Sequence, residues 1–229
     1  MLLFGLTIFV SAFLLFQVQP VISKAILPWF GGAAGVWNTC MLFFQAALLG
    51  GYTYAHWLQA QPAKRQRQIH LALLGLSLLS LPILPSVSWK PAGTDEPIGR
   101  ILGLLATTIG LPYFLLSTTG PLVQAWFARA HASGTVYRLF ALSNFASLLA
   151  LLGYPVLVEP WFGGVEAARG WSVLYVLFAI ACGATFASAF RTWARSLHAP
   201  VASSWSKRPH PPWLCSFHTQ KNALAITSS

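Results

Sequence analysis

Acidic residues are nearly absent from this sequence. Only four occur among its 229 residues, and charged residues of both signs make up 8% of the chain. A soluble domain typically carries about 25% charged residues, which help to cover its surface with polar groups. The scarcity of charge therefore excludes water as the main solvent for most of this chain.

The sequence also lacks the residue groupings that catalysis and metal binding require. Its three cysteines, Cys40, Cys182 and Cys215, are too far apart for a Cys-x-x-Cys motif. No Ser-His-Asp set, zinc-binding pattern or pair of carboxylates is evident. We therefore predict no catalytic residues, no metal ligands and no cofactor, and we expect that the chain is not an enzyme.

What the sequence does have is long apolar stretches. Hydrophobic residues make up 56% of it, and its mean hydropathy is +0.63. Runs such as residues 71–84 are apolar on every side, whereas strands of a membrane barrel alternate apolar and polar residues over about ten positions. Within lipid the backbone must satisfy its own hydrogen bonds, which a helix does locally. The pattern predicts an all-α, polytopic membrane protein.

A helix that crosses a hydrocarbon layer of about 30 Å needs roughly 20 apolar residues. The segments that meet this need are residues 2–22, 35–58, 69–87, 98 to beyond 119, 139–158 and 171–190. We expect six transmembrane helices within a domain that covers residues 1–192. Residues 193–229 are rich in Ser, Pro, His and Trp and lack apolar periodicity, so we expect a disordered tail.

Lysine and arginine are concentrated in alternate loops. Ten lie in segments 58–70 and 120–138 and beyond residue 190, whereas four lie on the other side, together with all four acids. Because cytoplasmic loops carry the excess of Lys and Arg, both termini are predicted to face the cytoplasm and the chain to lie in the cell inner membrane. The net charge of +10 then signals topology, and the expected partner is the lipid bilayer rather than nucleic acid.

Two stretches resemble a known family. The first comprises Phe16-Gln17-Val18-Gln19-Pro20, Lys24, Gly31-Gly32, Val36-Trp37-Asn38-Thr39-Cys40, Phe43-Phe44-Gln45-Ala46 and Gly51-Tyr52-Thr53-Tyr54-Ala55-His56. The second comprises Leu116-Ser117-Thr118-Thr119-Gly120-Pro121-Leu122, Gln124-Ala125-Trp126-Phe127, Leu142-Ser143-Asn144, Ser147-Leu148-Leu149-Ala150, Tyr154-Pro155 and Glu159-Pro160. In this order they are similar to the membrane region of bacterial fused spermidine-synthase-like proteins, whose transmembrane part looks like the major facilitator fold.

This resemblance covers about residues 2–190 and implies a major-facilitator-like half bundle. Members of the family usually carry further helices or a soluble aminopropyltransferase domain after this point, and nothing here matches that domain. The sequence has no acid beyond Glu166, although a site for a cationic polyamine needs carboxylates. We therefore expect a chain without the synthase activity, and the change in composition near Arg195 suggests a truncated or frame-shifted product.

Polar residues within the expected spans are the functional candidates. Asn38, Gln45 and Tyr52 follow one another at intervals of seven, which places them along one face of the second helix. The full set of candidate substrate-binding residues is Gln17, Gln19, Lys24, Asn38, Gln45, Tyr52, Thr118 and Asn144. Such residues face a cleft when they bind substrate, and they hydrogen-bond neighbouring helices when their role is structural. For Lys24 the structural alternative is an ammonium group that reaches the headgroups.

Three functions are consistent with these observations. The first is a non-catalytic membrane module, or a remnant, of the spermidine-synthase-like family. The second is a subunit of a transporter for a small molecule, such as a polyamine, that pairs with itself or with another membrane half. The third is a membrane anchor that recruits a soluble aminopropyltransferase to its basic cytoplasmic surface. Two histidines near that surface, His56 and His70, are expected to be interfacial.

Overall fold

The computed structural model describes residues 2–91, 97–130 and 136–198. Within these ranges the regular structure is entirely helical. The α-helices are α1 (Leu2–Phe30), α2 (Ala34–Gln59), α3 (Ala63–Ser77), α4 (Pro97–Leu105), α5 (Leu111–Ala130), α6 (Val136–Gly153) and α7 (Gly164–His198). The prediction of an all-α chain is confirmed for the described residues.

Short turns of other helix types extend these helices. A 3-10 turn, Leu78–Ser80, prolongs α3, and a π-helical turn, Ala106–Gly110, joins α4 to α5 without a break. A second π-helical turn, Tyr154–Val158, prolongs α6. A π-helical turn is wider than an α-helical turn and tolerates the absence of the backbone N–H donor that proline lacks. Pro112 follows the first of these turns, and Pro155 lies within the second. The described helices therefore form six rods.

The rods alternate in direction. Near one end of α1, Gln19 donates a hydrogen bond to Tyr113 of α5, and near the other end Phe4 packs on Phe127, so α1 and α5 are antiparallel. The contacts that orient the other rods are Phe44–Tyr113, Gly51–Ser117, Gln66–Trp126, Ser77–Tyr175, Gly5–Leu142, Lys24–Glu159, Thr7–Thr185 and Leu14–Trp171. Odd and even rods consequently run in opposite directions.

Among the described residues, four helices are long and apolar enough to cross a membrane. They are Leu2–Phe30, Pro97–Ala128, Val136–Val158 and Gly164–Ala189. The other two rods fall short of that standard for different reasons. Helix α2 has 26 residues but carries many polar side chains, and α3 has only 15 residues in α-helix. The architecture is therefore that of a helical membrane protein, with four rods that meet the length and composition of a span.

Three expected boundaries are wrong. The first helix continues past Pro20 to Phe30. A proline inside a helix removes one backbone hydrogen-bond donor and bends the helix without ending it. The third begins at Ala63 and ends with the 3-10 turn at Ser80, before Pro82, since residues preceding proline avoid helical angles. The sixth spans Gly164–His198 rather than 171–190. Residues 199–229 of the expected tail lie outside the described residues.

Close packing of α2 on α5 depends on one glycine. A Cβ placed on Gly51 would lie 2.9 Å from the Cβ of Ser117 and 3.1 Å from the carbonyl oxygen of Phe114. Real Cβ atoms essentially never show contacts below 3.0 Å, and a contact of 3.1 Å is tighter than nine in ten of theirs. The absence of a side chain at Gly51 therefore lets the two helix backbones approach each other, as small residues commonly do in membranes.

Candidate functional site

Buried polar groups lie between α1 and α5. The Gln19 Nε2 atom donates to the Tyr113 hydroxyl at 3.0 Å, and the Ser11 hydroxyl donates to the carbonyl oxygen of Leu116 at 3.1 Å. Gln17 is 5% exposed, and its Oε1 atom is buried without a hydrogen-bond partner. Gln17 lies two positions before Gln19 and so on a different face of α1. Because an unpaired buried acceptor is costly, Gln17 is the candidate on α1 whose environment leaves a hydrogen bond open.

The hydroxyl groups in the middle of α5 are satisfied by their own helix. Thr118 is fully buried and donates to the carbonyl oxygen of Leu115 at 2.7 Å. Ser117 donates to Phe114, and Thr119 to Leu115, in the same manner. Hydroxyls bonded to the preceding turn have no donor left for a ligand. This geometry supports a structural role for Thr118.

Four of the candidate residues lie on outer surfaces. Asn38, Gln45 and Tyr52 lie on one face of α2 because they are seven residues apart. All three side chains are exposed. Asn144 is exposed on α6, whose described span is only 11% buried. The candidates are therefore divided: Gln17 and Thr118 are buried inside the bundle, whereas the side chains of these four residues are exposed. Side-chain spacing defines a face but not the direction in which that face points.

Lys24 of α1 forms an ion pair with Glu159, which follows α6. Its ammonium group lies 2.5 Å from a carboxylate oxygen of Glu159, and both side chains are about half exposed, at 56% and 42%. Beside them is a cavity of about 280 Å³ between α1, the end of α6 and the start of α7, with Tyr154 and Phe162 among its lining residues. The alternative, in which the Lys24 ammonium group only reaches the lipid headgroups, does not account for this contact, since Lys24 pairs with Glu159 of the protein.

Sequence reasoning missed that partner. Glu159 is separated from Lys24 by 135 residues, so no local pattern joins them. One signal was available: both residues end expected spans on the same side of the membrane. Topology would thus have placed the two charges at the same level, although it could not show that α1 and α6 are neighbours.

Helices α2, α3, α5 and α7 enclose a second polar cluster at the opposite end. His70 is 1% exposed and packs between the rings of Tyr54 and Phe186. Trp126 donates to Gln66 at 3.2 Å. The His70 Nδ1 atom and the Tyr54 hydroxyl are both buried without a hydrogen-bond partner. The sequence placed His70 near a basic loop and gave no sign that neighbouring helices bury it.

Fold and site together define a class, a helical bundle with the dimensions of an integral membrane protein and several polar groups inside it. Comparison with known proteins adds no name to that class, because no family model, no curated protein and no solved structure matches this chain. Within the described residues, no three His, Cys, Asp or Glu side chains come together in a group that could hold a metal ion.

Proposed function

We propose that this chain is a six-helix membrane module of the cell inner membrane, with both termini in the cytoplasm and no catalytic activity of its own. The observation that carries the proposal is the alternating direction of the six rods. An even number of alternating rods returns the chain to the side from which it started. Helices α2 and α3 are included because each packs within the bundle alongside helices that are apolar enough to span.

The distribution of charge supports the proposed orientation. Lys64, Arg65 and Arg67 lie at the start of α3, and Arg138 lies at the start of α6. The contacts of Gln66 with Trp126 and of Phe4 with Phe127 place the starts of α1 and α3 beside the end of α5. The approach of Leu142 to Gly5 places the start of α6 at the same end of the bundle. We call this the basic end. A surplus of Lys and Arg in short loops favours the cytoplasmic side.

The family assignment is part of the proposal. The two stretches that resemble the membrane region of spermidine-synthase-like proteins fall within α1, α2, α5 and α6 and the turns that follow them. They include Gly31 and Gly32, which both have positive φ values, 85° and 63°, in the turn between α1 and α2. Glycine adopts that conformation without steric cost, so this turn gives a physical reason for the Gly-Gly pair in the shared pattern.

Cysteine accessibility tests the six-span topology. We expect an impermeant maleimide to label Ala33→Cys and Phe162→Cys in intact spheroplasts, because these positions follow rods that run away from the basic end. Gln61→Cys, between α2 and α3, should be labelled only after the membrane is permeabilised. Labelling of Gln61→Cys in intact spheroplasts at the rate of Ala33→Cys would show that α2 does not cross.

A second candidate function is transport of a small polar molecule by a paired bundle. The observation that favours it is the buried Gln17 Oε1 atom without a partner, close in sequence to the Gln19–Tyr113 bond. Intramembrane polar groups that lack partners commonly mark substrate paths. The resemblance makes polyamines the first substrates to assay in proteoliposomes. Spermidine uptake that is lost in Gln17→Leu, but kept in the matched variant Gln124→Leu, would support this function.

A further inference from the structure

The outward face of α2 carries a regular repeat. Asn38, Leu42, Gln45, Leu49, Tyr52 and His56 succeed one another at alternating steps of four and three residues. All six side chains are exposed, and Leu42 and Leu49 are 60% and 68% exposed. Alternating steps of three and four residues form the seam along which two helices pack in a coiled coil. We call these six residues the α2 seam.

The bundle itself does not use this seam. Helix α2 packs on α5 and α4 through its opposite face, on which Val36, Cys40, Phe44, Gly51 and Ala55 are buried. That face provides the contact of Phe44 with Tyr113 and the close approach at Gly51. The α2 seam is thus a second, separate contact surface on a helix that is already anchored.

The chemistry of the α2 seam is unsuited to lipid. Asn38 and Gln45 have amide groups with no hydrogen-bond partner among the described residues. Gln45 lies 11 residues from the start of α2, or about 17 Å along the helix axis, which is too deep for its amide to reach either headgroup layer. Transfer of an unpaired amide into hydrocarbon is costly, because the lipid chains neither donate nor accept hydrogen bonds. A protein partner that supplies both donors and acceptors removes that cost.

From this surface we propose that the α2 seam is a homodimer interface, in which it packs in parallel against the α2 seam of a second copy of this chain. Two copies inserted with the same topology are related by a two-fold axis along the membrane normal. The seam then meets itself in register, with Gln45 opposite Gln45 and Asn38 opposite Asn38. Each amide can donate to and accept from its counterpart, and Leu42 and Leu49 fill the layers between them.

A second copy fits the α2 seam better than a charged or purely apolar partner. The stretch from Asn38 to Tyr52 bears no charged side chain that would call for an opposite charge, and its amides are self-complementary. Its repeat of 3.5 residues matches the left-handed crossing of about 20° that is common between membrane helices. The inference rests on the proposed function in one respect, since α2 must cross the bilayer for Gln45 to lie at mid-depth.

Disulfide cross-linking in native membranes tests the interface. Leu42→Cys and Leu49→Cys are made in a chain whose own cysteines are replaced by alanine. The control is Leu148→Cys on the outer surface of α6, which is 54% exposed. Because a disulfide requires Cα atoms within about 7 Å, we expect an oxidant to give a covalent dimer from the two seam variants and none from Leu148→Cys. Equal cross-linking at all three positions would mean random collision and would overturn the proposal.

The amides are tested in the chain that retains its natural cysteines. We expect Gln45→Leu to weaken dimerisation, measured by energy transfer between labelled copies in liposomes, by about tenfold. Gln124→Leu, on the partly buried surface of α5, should leave dimerisation unchanged. An unchanged dimer in Gln45→Leu, a purely monomeric chain, or a seam cross-link to a protein of another mass would each overturn the proposal.

The topology assay separates this inference from the proposed function. If Gln61→Cys is protected as expected but the α2 seam gives no cross-link, the seam proposal fails and the six-span module stands. If Gln61→Cys is labelled from outside, α2 does not cross the bilayer, and the six-span topology and the seam proposal both fail.

Discussion

The two faces of α2 are divided as they would be in a soluble helix. Its inward face is apolar, with Phe44 and Gly51 packed against α5, whereas its outward face exposes Asn38, Gln45 and Tyr52. In water the apolar face turns inward because burial removes it from solvent. Lipid chains are as apolar as leucine, so the hydrophobic effect does not drive helices together within the membrane. Close packing therefore decides which face of a helix turns inward. Polarity alone therefore does not identify the interior of this bundle.

Helices α5 and α6 show the same contrast at the level of whole helices. The span that contains α5 is 61% buried, and the span that contains α6 is 11% buried. Both are comparably apolar, with the same mean hydropathy of 1.7. The difference is one of position: α5 contacts α1, α2, α3 and α6, while α6 presents residues such as Leu148 and Leu152 outward.

The largest effect is expected on the inward face of α2. Gly51→Ala places a methyl group against the Cβ of Ser117 and should lower the free energy of unfolding by about 1 to 3 kcal/mol, because a packed core resists added volume. Thermal unfolding in mild detergent measures the change.

The neighbouring glycine provides the control for that substitution. A Cβ on Gly50 would lie 3.6 Å from the Phe114 ring, an ordinary contact. Gly50→Ala gains the same helix propensity, at most about 1 kcal/mol, without the clash and should be neutral or stabilising. If Gly51→Ala unfolds at the same temperature as Gly50→Ala, close packing does not hold α2 against α5.

An intermediate effect is expected where two buried hydroxyls meet. The Ser77 hydroxyl donates to Leu74 and lies 2.7 Å from the Tyr175 hydroxyl, so Tyr175 donates to Ser77. Tyr175→Phe should destabilise the protein by about 1 kcal/mol.

Tyr54→Phe is the matched variant, since it removes a buried hydroxyl that has no partner. It should be neutral or slightly stabilising. An equal loss of stability in both variants would indicate that the Tyr54 hydroxyl has a partner, such as a bound water.

The smallest effect is expected at the ion pair. Lys24→Ala and Glu159→Ala should each leave the unfolding temperature almost unchanged, because both side chains are about half exposed and salt screens such pairs. A double-mutant cycle at low and high salt measures their coupling. A coupling as large as that between Ser77 and Tyr175 would show that this pair, rather than packing, joins α1 to α6.

The bounds of α2 and the end of α1 were predicted with different success. The bounds of α2 were expected at 35–58 and are Ala34–Gln59, because Gly31-Gly32 precede this helix and a polar segment with Pro62 follows it. Helix α1 was expected to end at residue 22 and continues for eight more residues, with Pro20 and Pro28 inside it. In a membrane bundle, neighbouring helices satisfy the carbonyl group that proline leaves free, so the helix continues.

The sequence by itself determined that the chain is helical, which stretches are apolar enough to span, and how Lys and Arg divide between alternate loops. These properties depend on residues close together along the chain, and composition reports them directly. The tertiary structure alone decided that the face with Asn38 and Gln45 points outward, that His70 is buried and that Lys24 meets Glu159. Each of these depends on which helices are neighbours, and within lipid neither hydropathy nor spacing selects a neighbour.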